Sequence, residues 1–208
     1  MMHGLPPWLV ALSPWDWGAL GFLILSHWAV GWTVTHHPRG WRSTGEMVSE
    51  YRLQWMRRAA RREVRIGDVN ILSSLRGGAS FMASMTTFAI GGAVALLGQI
   101  ELLQSVAVGV AGAVEASRQA QQAKTLILIA ILAYAFLKFV WSVRVFGYCL
   151  IVMGAMPGDQ PGDREEEIER EAARAAAINR AAAKNFNAGL RAIYFALAIL
   201  AWYLGPAP

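Results

Sequence analysis

A lysine in the middle of an apolar stretch is the feature of this sequence that most directly suggests chemistry. Lys138 lies within the run from Thr125 to Phe146, in which Arg144 is the only other charge. A charged side chain at the centre of a bilayer costs about 2.5–3.5 kcal/mol on insertion scales, so such residues usually line a water-filled path or pair with a partner. Two alternatives stay open: the lysine stem can snorkel towards the interface, or the span can be placed differently along the chain.

Two arginines and one aspartate form a second group of candidates. Arg144 and Arg191 fall near the predicted cytoplasmic ends of two apolar runs, and Asp68 precedes a third. We favour simple contact of both arginines with lipid headgroups. The alternative is a buried pair between Arg144 and Asp68, since unpaired charge near lipid is costly. In an enzyme acting on lipid, the two arginines would hold phosphate.

Polar and metal-binding residue types elsewhere give weaker signals. Asn70 and Ser74 can line a polar seam, although such side chains more often form helix–helix hydrogen bonds worth about 0.6 kcal/mol each. His36 and His37 have no Cys or carboxylate at zinc-site spacing, and Cys149 is predicted to be a small buried apolar residue. The sequence contains no Walker loop, HExxH or GxSxG motif, so it predicts no metal, no cofactor and no catalytic set.

The composition indicates a membrane protein. Of the 208 residues, 55% are hydrophobic and only 16% are charged, whereas soluble domains carry about 25% charged residues. The net charge of +5 comes from arginines that lie between apolar runs. Lipid headgroups are therefore the predicted partners, and no nucleic acid partner is predicted. The nine tryptophans suit membrane–water interfaces, where an amphipathic ring fits the headgroup level.

Four apolar runs are predicted as membrane spans, at about 15–34, 78–97, 125–146 and 187–204. A helix needs roughly 20 apolar residues to cross a bilayer, and the last run is only marginally long. Small residues in the second run predict a central position, because they let helix backbones approach closely. The predicted fold class is all-α, an integral membrane helical bundle that forms a single domain over residues 1–208.

Two more helices are predicted on the cytoplasmic side, at about 44–75 and 164–185. The first mixes arginines with apolar residues and is typical of an amphipathic helix in the membrane interface; a solvated helix packed on its neighbours is equally open. The stretch 99–124 is ambiguous, since the apolar Val106–Val114 within it is too short to span and can be interfacial or re-entrant. We expect the arginines of the first helix to bind anionic headgroups in a salt-dependent way: Arg57, Arg58, Arg61, Arg62 and Arg65.

The distribution of positive charge predicts the orientation. Nine arginines lie between the first two spans and five basic residues between the last two, but only Arg118 and Lys124 lie between the second and third. Because cytoplasmic loops carry the excess of Lys and Arg, loops one and three are predicted in the cytoplasm of a bacterial inner membrane. Both termini are then predicted outside, in the periplasm.

Three stretches together resemble a family of bacterial membrane proteins called domain of unknown function 599 (DUF599). They are RIGDVNILSSL (65–75) followed by IGGAVALLG (90–98), KFVWSVRVFGYC (138–149) and NFNAGLRAIYFALA (185–198). The resemblance covers about Tyr51 to Pro206 and implies a multi-span inner-membrane protein with no established activity. Gly147 departs from the asparagine that the family often has, and family members commonly continue with another apolar stretch beyond the final Gly-Pro.

Three hypotheses for function follow. The first is an accessory, scaffold or assembly component that binds other membrane proteins, motivated by the small-residue second span and the tryptophans. The second is a small oligomeric transporter or channel whose path Lys138 lines, although four spans are few for an inverted-repeat transporter. The third and weakest is a membrane enzyme acting on lipid, since no nucleophile or base is convincingly placed. The expected partners are anionic lipids and either another membrane protein or further copies of the chain.

Overall fold

The computed structural model describes residues 13–35, 44–102, 105, 109, 117–156 and 165–203. These residues form an all-α structure, as predicted. Its five main helices are α1 (Pro14–Thr35), α2 (Thr44–Ala60), α3 (Ile66–Leu97), α4 (Arg118–Ala155) and α5 (Glu165–Trp202). The described residues divide into two compact units. Unit 1 lies within Met1–His36, Met85–Ala135 and Leu190–Pro208, and unit 2 lies within His37–Ser84 and Phe136–Gly189.

The core of unit 1 is built from apolar residues at helical spacing. Leu128 and Leu132 lie one turn apart on α4, and Ala196 and Ile199 lie on one face of α5. Residues three and four apart share a face of a helix, so these side chains meet in one layer. Partly buried residues of α1 pack against the same cluster, among them Leu20 and Leu23.

The core of unit 2 depends on small side chains. On α5, buried alanines recur at 172, 175, 176 and 182, and they pack with Met56 of α2 and Leu72 of α3. Alanine lets helix backbones come close together, as small residues do at helix interfaces in membranes. Phe139 is fully buried beside them, and its ring meets that of Phe186 edge-on at 5.6 Å between centroids.

The helix predicted over 44–75 is two helices in the structure. The first ends at Ala60 and α3 begins at Ile66. The chain leaves α2 in a tight turn, in which the amides of Arg61 and Arg62 bond carbonyls only three residues back. Asp68 then lies in the first turn of α3, where its negative charge complements the helix dipole.

The helix predicted over 164–185 and the span predicted over 187–204 form the single helix α5. Nothing between residues 185 and 189 breaks it, since this segment contains no proline. Three glutamates occupy its first turn, Glu165, Glu166 and Glu167, and acidic residues stabilise a helix N-terminus. The span predicted over 125–146 lies within α4, which extends further at both ends.

Within the part of the chain that the structure describes, two helices, α3 and α4, are long and apolar enough to cross a membrane. Their most apolar 18-residue stretches are only 17% and 28% buried, respectively. On α3, Ala79, Ala83, Thr86 and Ala93 form a buried stripe, but most of the other small residues are exposed. The prediction that the small residues of the run 78–97 pack centrally is therefore wrong for these exposed positions: Gly78, Ser80, Ser84, Gly91 and Gly92.

Several predictions fall outside the described residues. They concern the segment Val106–Val114, the pair His36 and His37, and both ends of the chain.

Gly189 gives a direct test of the packing in unit 2. A Cβ atom added there would lie 2.7 Å from Cε1 of Phe139, and this ring is enclosed and cannot move away cheaply. We expect Gly189→Ala to destabilise the protein by about 1–3 kcal/mol, the usual cost of overpacking, in chemical unfolding of the detergent-solubilised chain. Gly147→Ala is the matched control, because its Cβ would meet no atom within 4 Å. Equal stability of both variants would contradict the packing.

Candidate functional site

A buried carboxylate organises the turn between α2 and α3 in unit 2. Asp68 is 2% exposed, and its Oδ1 accepts hydrogen bonds from Trp55 Nε1 at 2.7 Å and Arg62 Nη1 at 2.5 Å. Trp55 comes from α2 and Arg62 from the turn that follows it. A charge-assisted bond of this kind is stronger than a neutral one. The aspartate therefore ties both sides of the turn to the start of α3.

Arg65 joins the ends of two helices in the same unit. Its Nη1 donates to the carbonyls of Met153 at 3.1 Å and Met156 at 3.0 Å, and its Nη2 donates to the carbonyl of Ala60 at 3.0 Å. Ala60 ends α2, and the two methionines lie at the end of α4. The last carbonyls of a helix lack intrahelical partners and carry partial negative charge, so the guanidinium satisfies and stabilises both ends.

Arg52 makes a further half-buried contact with α5. It donates to Oδ1 of Asn179, whose Nδ2 lies 3.8 Å from Sγ of Cys149. Desolvation by burial lowers the pKa of the Arg52 guanidinium, against a smaller opposing influence of Cys149; an arginine nevertheless stays charged in proteins. Cys149 is fully buried, in agreement with its predicted role as a small buried residue.

The remaining arginines of the predicted lipid-binding set lie on the surface, as Arg62 does with its 49% exposed side chain. Arg57 pairs with Glu169 at 2.5 Å, and Arg61 pairs with Glu165. Arg58 is exposed and makes no ion pair with any other residue that the structure describes. The five arginines therefore differ in their partners. Arg57, Arg61 and Arg62 pair with carboxylates of the chain, and Arg65 binds backbone carbonyls.

Lys138 and Arg144 each have a hydrogen-bond partner within unit 2. Lys138 is half-buried, and its Nζ donates to Oδ1 of Asn185 at 3.4 Å. Arg144 is exposed, and its Nε donates to the Tyr148 hydroxyl at 2.6 Å. The alternative pair of Arg144 with Asp68 does not form, and Asp68 Oδ1 instead accepts from Arg62 and Trp55.

The structure does not bring the other candidates into one site. Asn70 and Ser74 are exposed on α3, whereas Asp68 on the same helix is buried. Arg191 is half-buried on α5 and belongs to unit 1, whereas the other candidates belong to unit 2. Within the described part of the chain, no group of three His, Cys, Asp or Glu residues could hold a metal ion.

Unit 1 holds a buried ion pair that the sequence reasoning did not identify. Asp16 and Lys124 are 5% and 3% exposed, and Nζ of Lys124 lies 3.0 Å from Oδ1 of Asp16. Trp202 Nε1 donates to the same oxygen at 2.9 Å. Oδ2 accepts from the amide and hydroxyl of Ser13 at 3.0 and 2.8 Å. All four strong acceptor positions of the carboxylate are thus filled.

The local sequence explains the position of Asp16 at the start of α1. Ser13 precedes Pro14, the first residue of α1, and its Oγ accepts the Asp16 amide at 3.1 Å. Ser-Pro-Trp-Asp is a variant of the capping box, with proline at the first helical position. This box and the lysine at the edge of an apolar run are the signals that could have indicated the pair. The tryptophans beside Asp16 instead favoured an interface belt.

The surroundings of the pair combine polar and apolar groups. Lys124 lies 4.8 Å from the ring centroid of Trp202 and donates to its carbonyl at 3.3 Å. Close by in sequence, Thr125 shares a 2.6 Å hydrogen bond with the Tyr203 hydroxyl. An apolar cavity of about 440 Å³ lies between α1, α4 and α5 and is lined by residues such as Leu20, Ile131 and Phe195.

What these groups do chemically is join helices. Asp16 and Asp68 are both buried. Asp16 neutralises the buried Lys124, whereas Asp68 is itself neutralised by Arg62, whose side chain is 49% exposed. Removing one partner of such a pair typically costs 3–5 kcal/mol, because the other charge stays behind. Both carboxylates therefore stabilise contacts between elements of their own units.

A double-mutant cycle tests the ion pair of unit 1. We expect Asp16→Asn and Lys124→Met each to lower the free energy of unfolding by about 3–5 kcal/mol, and the double variant to lose less than the sum. The measurement is chemical unfolding in detergent. Strictly additive losses would show that the two side chains do not interact.

A family model agrees with this chain over residues 18–208. No curated protein and no solved structure matches it. The matched family is described as a protein of unknown function, DUF599, and it is the family that the three sequence stretches resemble. Because the match covers most of the 208 residues, the chain belongs to the DUF599 family.

Proposed function

We propose that the chain is a four-span protein of the bacterial inner membrane that acts as an accessory, scaffold or assembly component for other membrane proteins. The observation that carries the proposal is an exposed face of small residues on α3, a helix long and apolar enough to cross a membrane. Small residues at regular spacing are how membrane helices recognise one another.

Support for the membrane location comes from apolar surface. The core helix of a soluble protein is mostly buried, but the most apolar parts of α3 and α4 are largely exposed. Large side chains on the surface include Trp28 of α1, Phe88 of α3 and Leu137 of α4, which are 71%, 73% and 63% exposed. Soluble monomers rarely expose apolar surface on this scale, whereas lipid tails would cover it without cost.

The proposed contact face follows a regular spacing on α3. Ser73, Gly77, Ser80 and Ser84 are all exposed, and they recur at alternating intervals of four, three and four residues. Asn70 extends the pattern by one step. A repeat of 3.5 residues on average matches the seam between two helices that cross at a shallow angle. A Cβ added at Gly77 would meet no atom, so a partner helix has room to approach.

The experiment is purification of the tagged full chain from native membranes into nanodiscs, with mass spectrometry of the proteins that accompany it. We expect a stoichiometric membrane protein to accompany the wild-type chain and to be lost from the Gly77→Leu/Ser80→Leu variant. Bulky side chains there would separate the helices, but they would meet open space in the chain itself.

The matched control places leucine beside the face and not on it. Phe81→Leu and Met85→Leu alter exposed positions of the same helix, and we expect them to retain the partner. Recovery of the wild-type chain alone would contradict the proposal. A clean homo-oligomer would reassign the face to contacts between copies of this chain.

The alternative function is a small oligomeric transporter or channel, and a substitution of Lys138 tests it. If this side chain lines a path, Lys138→Met should lower solute flux in proteoliposomes by at least about tenfold, as expected for removal of a functional intramembrane charge. Unchanged flux would leave Lys138 as the partner of Asn185, a contact within the protein.

A further inference from the structure

The arginines at the end of α2 and in the turn after it form a surface with a specific charge pattern. Arg61 lies four residues after Arg57 and three after Arg58. We call these three exposed arginines, at and just beyond the end of α2, the arginine face. The side chains of Arg57 and Arg61 are 44% and 39% exposed, and Arg58 is exposed. Arg62 is 49% exposed but pairs with the buried Asp68, and Arg65 donates to backbone carbonyls, so neither is included in the face.

Two carboxylates of the same chain occupy part of this face. Arg57 binds Glu169 through both Nε at 2.6 Å and Nη2 at 2.5 Å, and Arg61 binds Glu165. The glutamate side chains are 39% and 71% exposed. Because exposed ion pairs are weak and screened by salt, these contacts can exchange for another anion.

We propose that the arginine face binds the phosphate of anionic lipid headgroups, and that Glu165 and Glu169 compete with the lipid for Arg57 and Arg61. Arginine binds carboxylate and phosphate in the same forked geometry. The two glutamates therefore stand where lipid phosphates would bind, while Arg58 is open to the first headgroup. The inference rests on the proposed membrane location and adds to it the lipid class that is bound and the residues that set its affinity.

The competition makes a prediction that simple attraction to a charged membrane does not. Removing the charges of Glu165 and Glu169 frees two arginines. Glu166 and Glu167 are their exposed neighbours and pair with no arginine in the described residues, so removing those two charges alters net charge equally and frees nothing. The gain in lipid binding should therefore depend on which two glutamates lose their charge and not on the change in net charge.

The test uses the full chain in nanodiscs with equal amounts of phosphatidylglycerol and phosphatidylcholine. Native mass spectrometry after release into mild detergent gives the ratio of the two lipids retained. We expect wild-type chain to prefer phosphatidylglycerol and Glu165→Gln/Glu169→Gln to raise the ratio roughly three- to tenfold. We expect Glu166→Gln/Glu167→Gln to change it less than about twofold, as befits unpaired surface charge, and Arg58→Gln to lower it about fivefold.

Each contrary result has a distinct meaning. An equal gain in both glutamate pairs would overturn the competition and leave only general attraction. No preference for phosphatidylglycerol, with no loss in Arg58→Gln, would overturn the lipid site and leave the face to an acidic protein surface. A chain that does not enter nanodiscs would overturn the membrane location as well, so the two failures are distinguishable.

Discussion

The structure depends on the rule that charge buried beside apolar helices must be neutralised within the protein. Taking a charge out of water costs several kcal/mol, and only a close partner with good geometry offsets it. In unit 1 Asp16 and Lys124 meet at 3.0 Å under Trp202. In unit 2 Asp68 holds Arg62, and Arg65 closes the ends of α2 and α4. Because each contact needs residues from different elements, the pairs also fix which elements meet.

The two faces of α3 divide the tasks of folding and binding. One stripe, from Ala79 through Ala83 and Thr86 to Ala93, is buried, whereas the glycines and serines beside it are exposed. On α2 the division is similar, since Met56 and Ala60 enter the core and Arg57 and Arg58 stay outside. In both helices, the residues that the protein's own core does not use are those that we assign to partners and lipids.

Sequence reasoning reached the helices and the family but not the pairing of the charges. Periodicity and charge-free runs located the helical segments, because those signals are local. One helix was predicted across Ala60, where the structure has a turn, and a break was predicted near Asn185, where α5 is continuous. Both features depend on tertiary contacts, which local sequence signals do not report. The same holds for the sites. Asp68 was named as a candidate, and the structure buries it, but its partners Arg62 and Trp55 were not predicted. Asp16 was overlooked because its partner Lys124 is 108 residues away in the sequence.

We propose that the chain spans the bacterial inner membrane with its arginine-rich segment in the cytoplasm. Labelling of spheroplasts with a membrane-impermeant maleimide tests it most directly, using single cysteines in a Cys149→Ala background. Trp15→Cys should be labelled in intact spheroplasts, and Gln54→Cys only after permeabilisation; both positions are exposed in the structure. Equal labelling of both before permeabilisation, the reverse pattern, or extraction of the chain by alkaline carbonate would contradict the account.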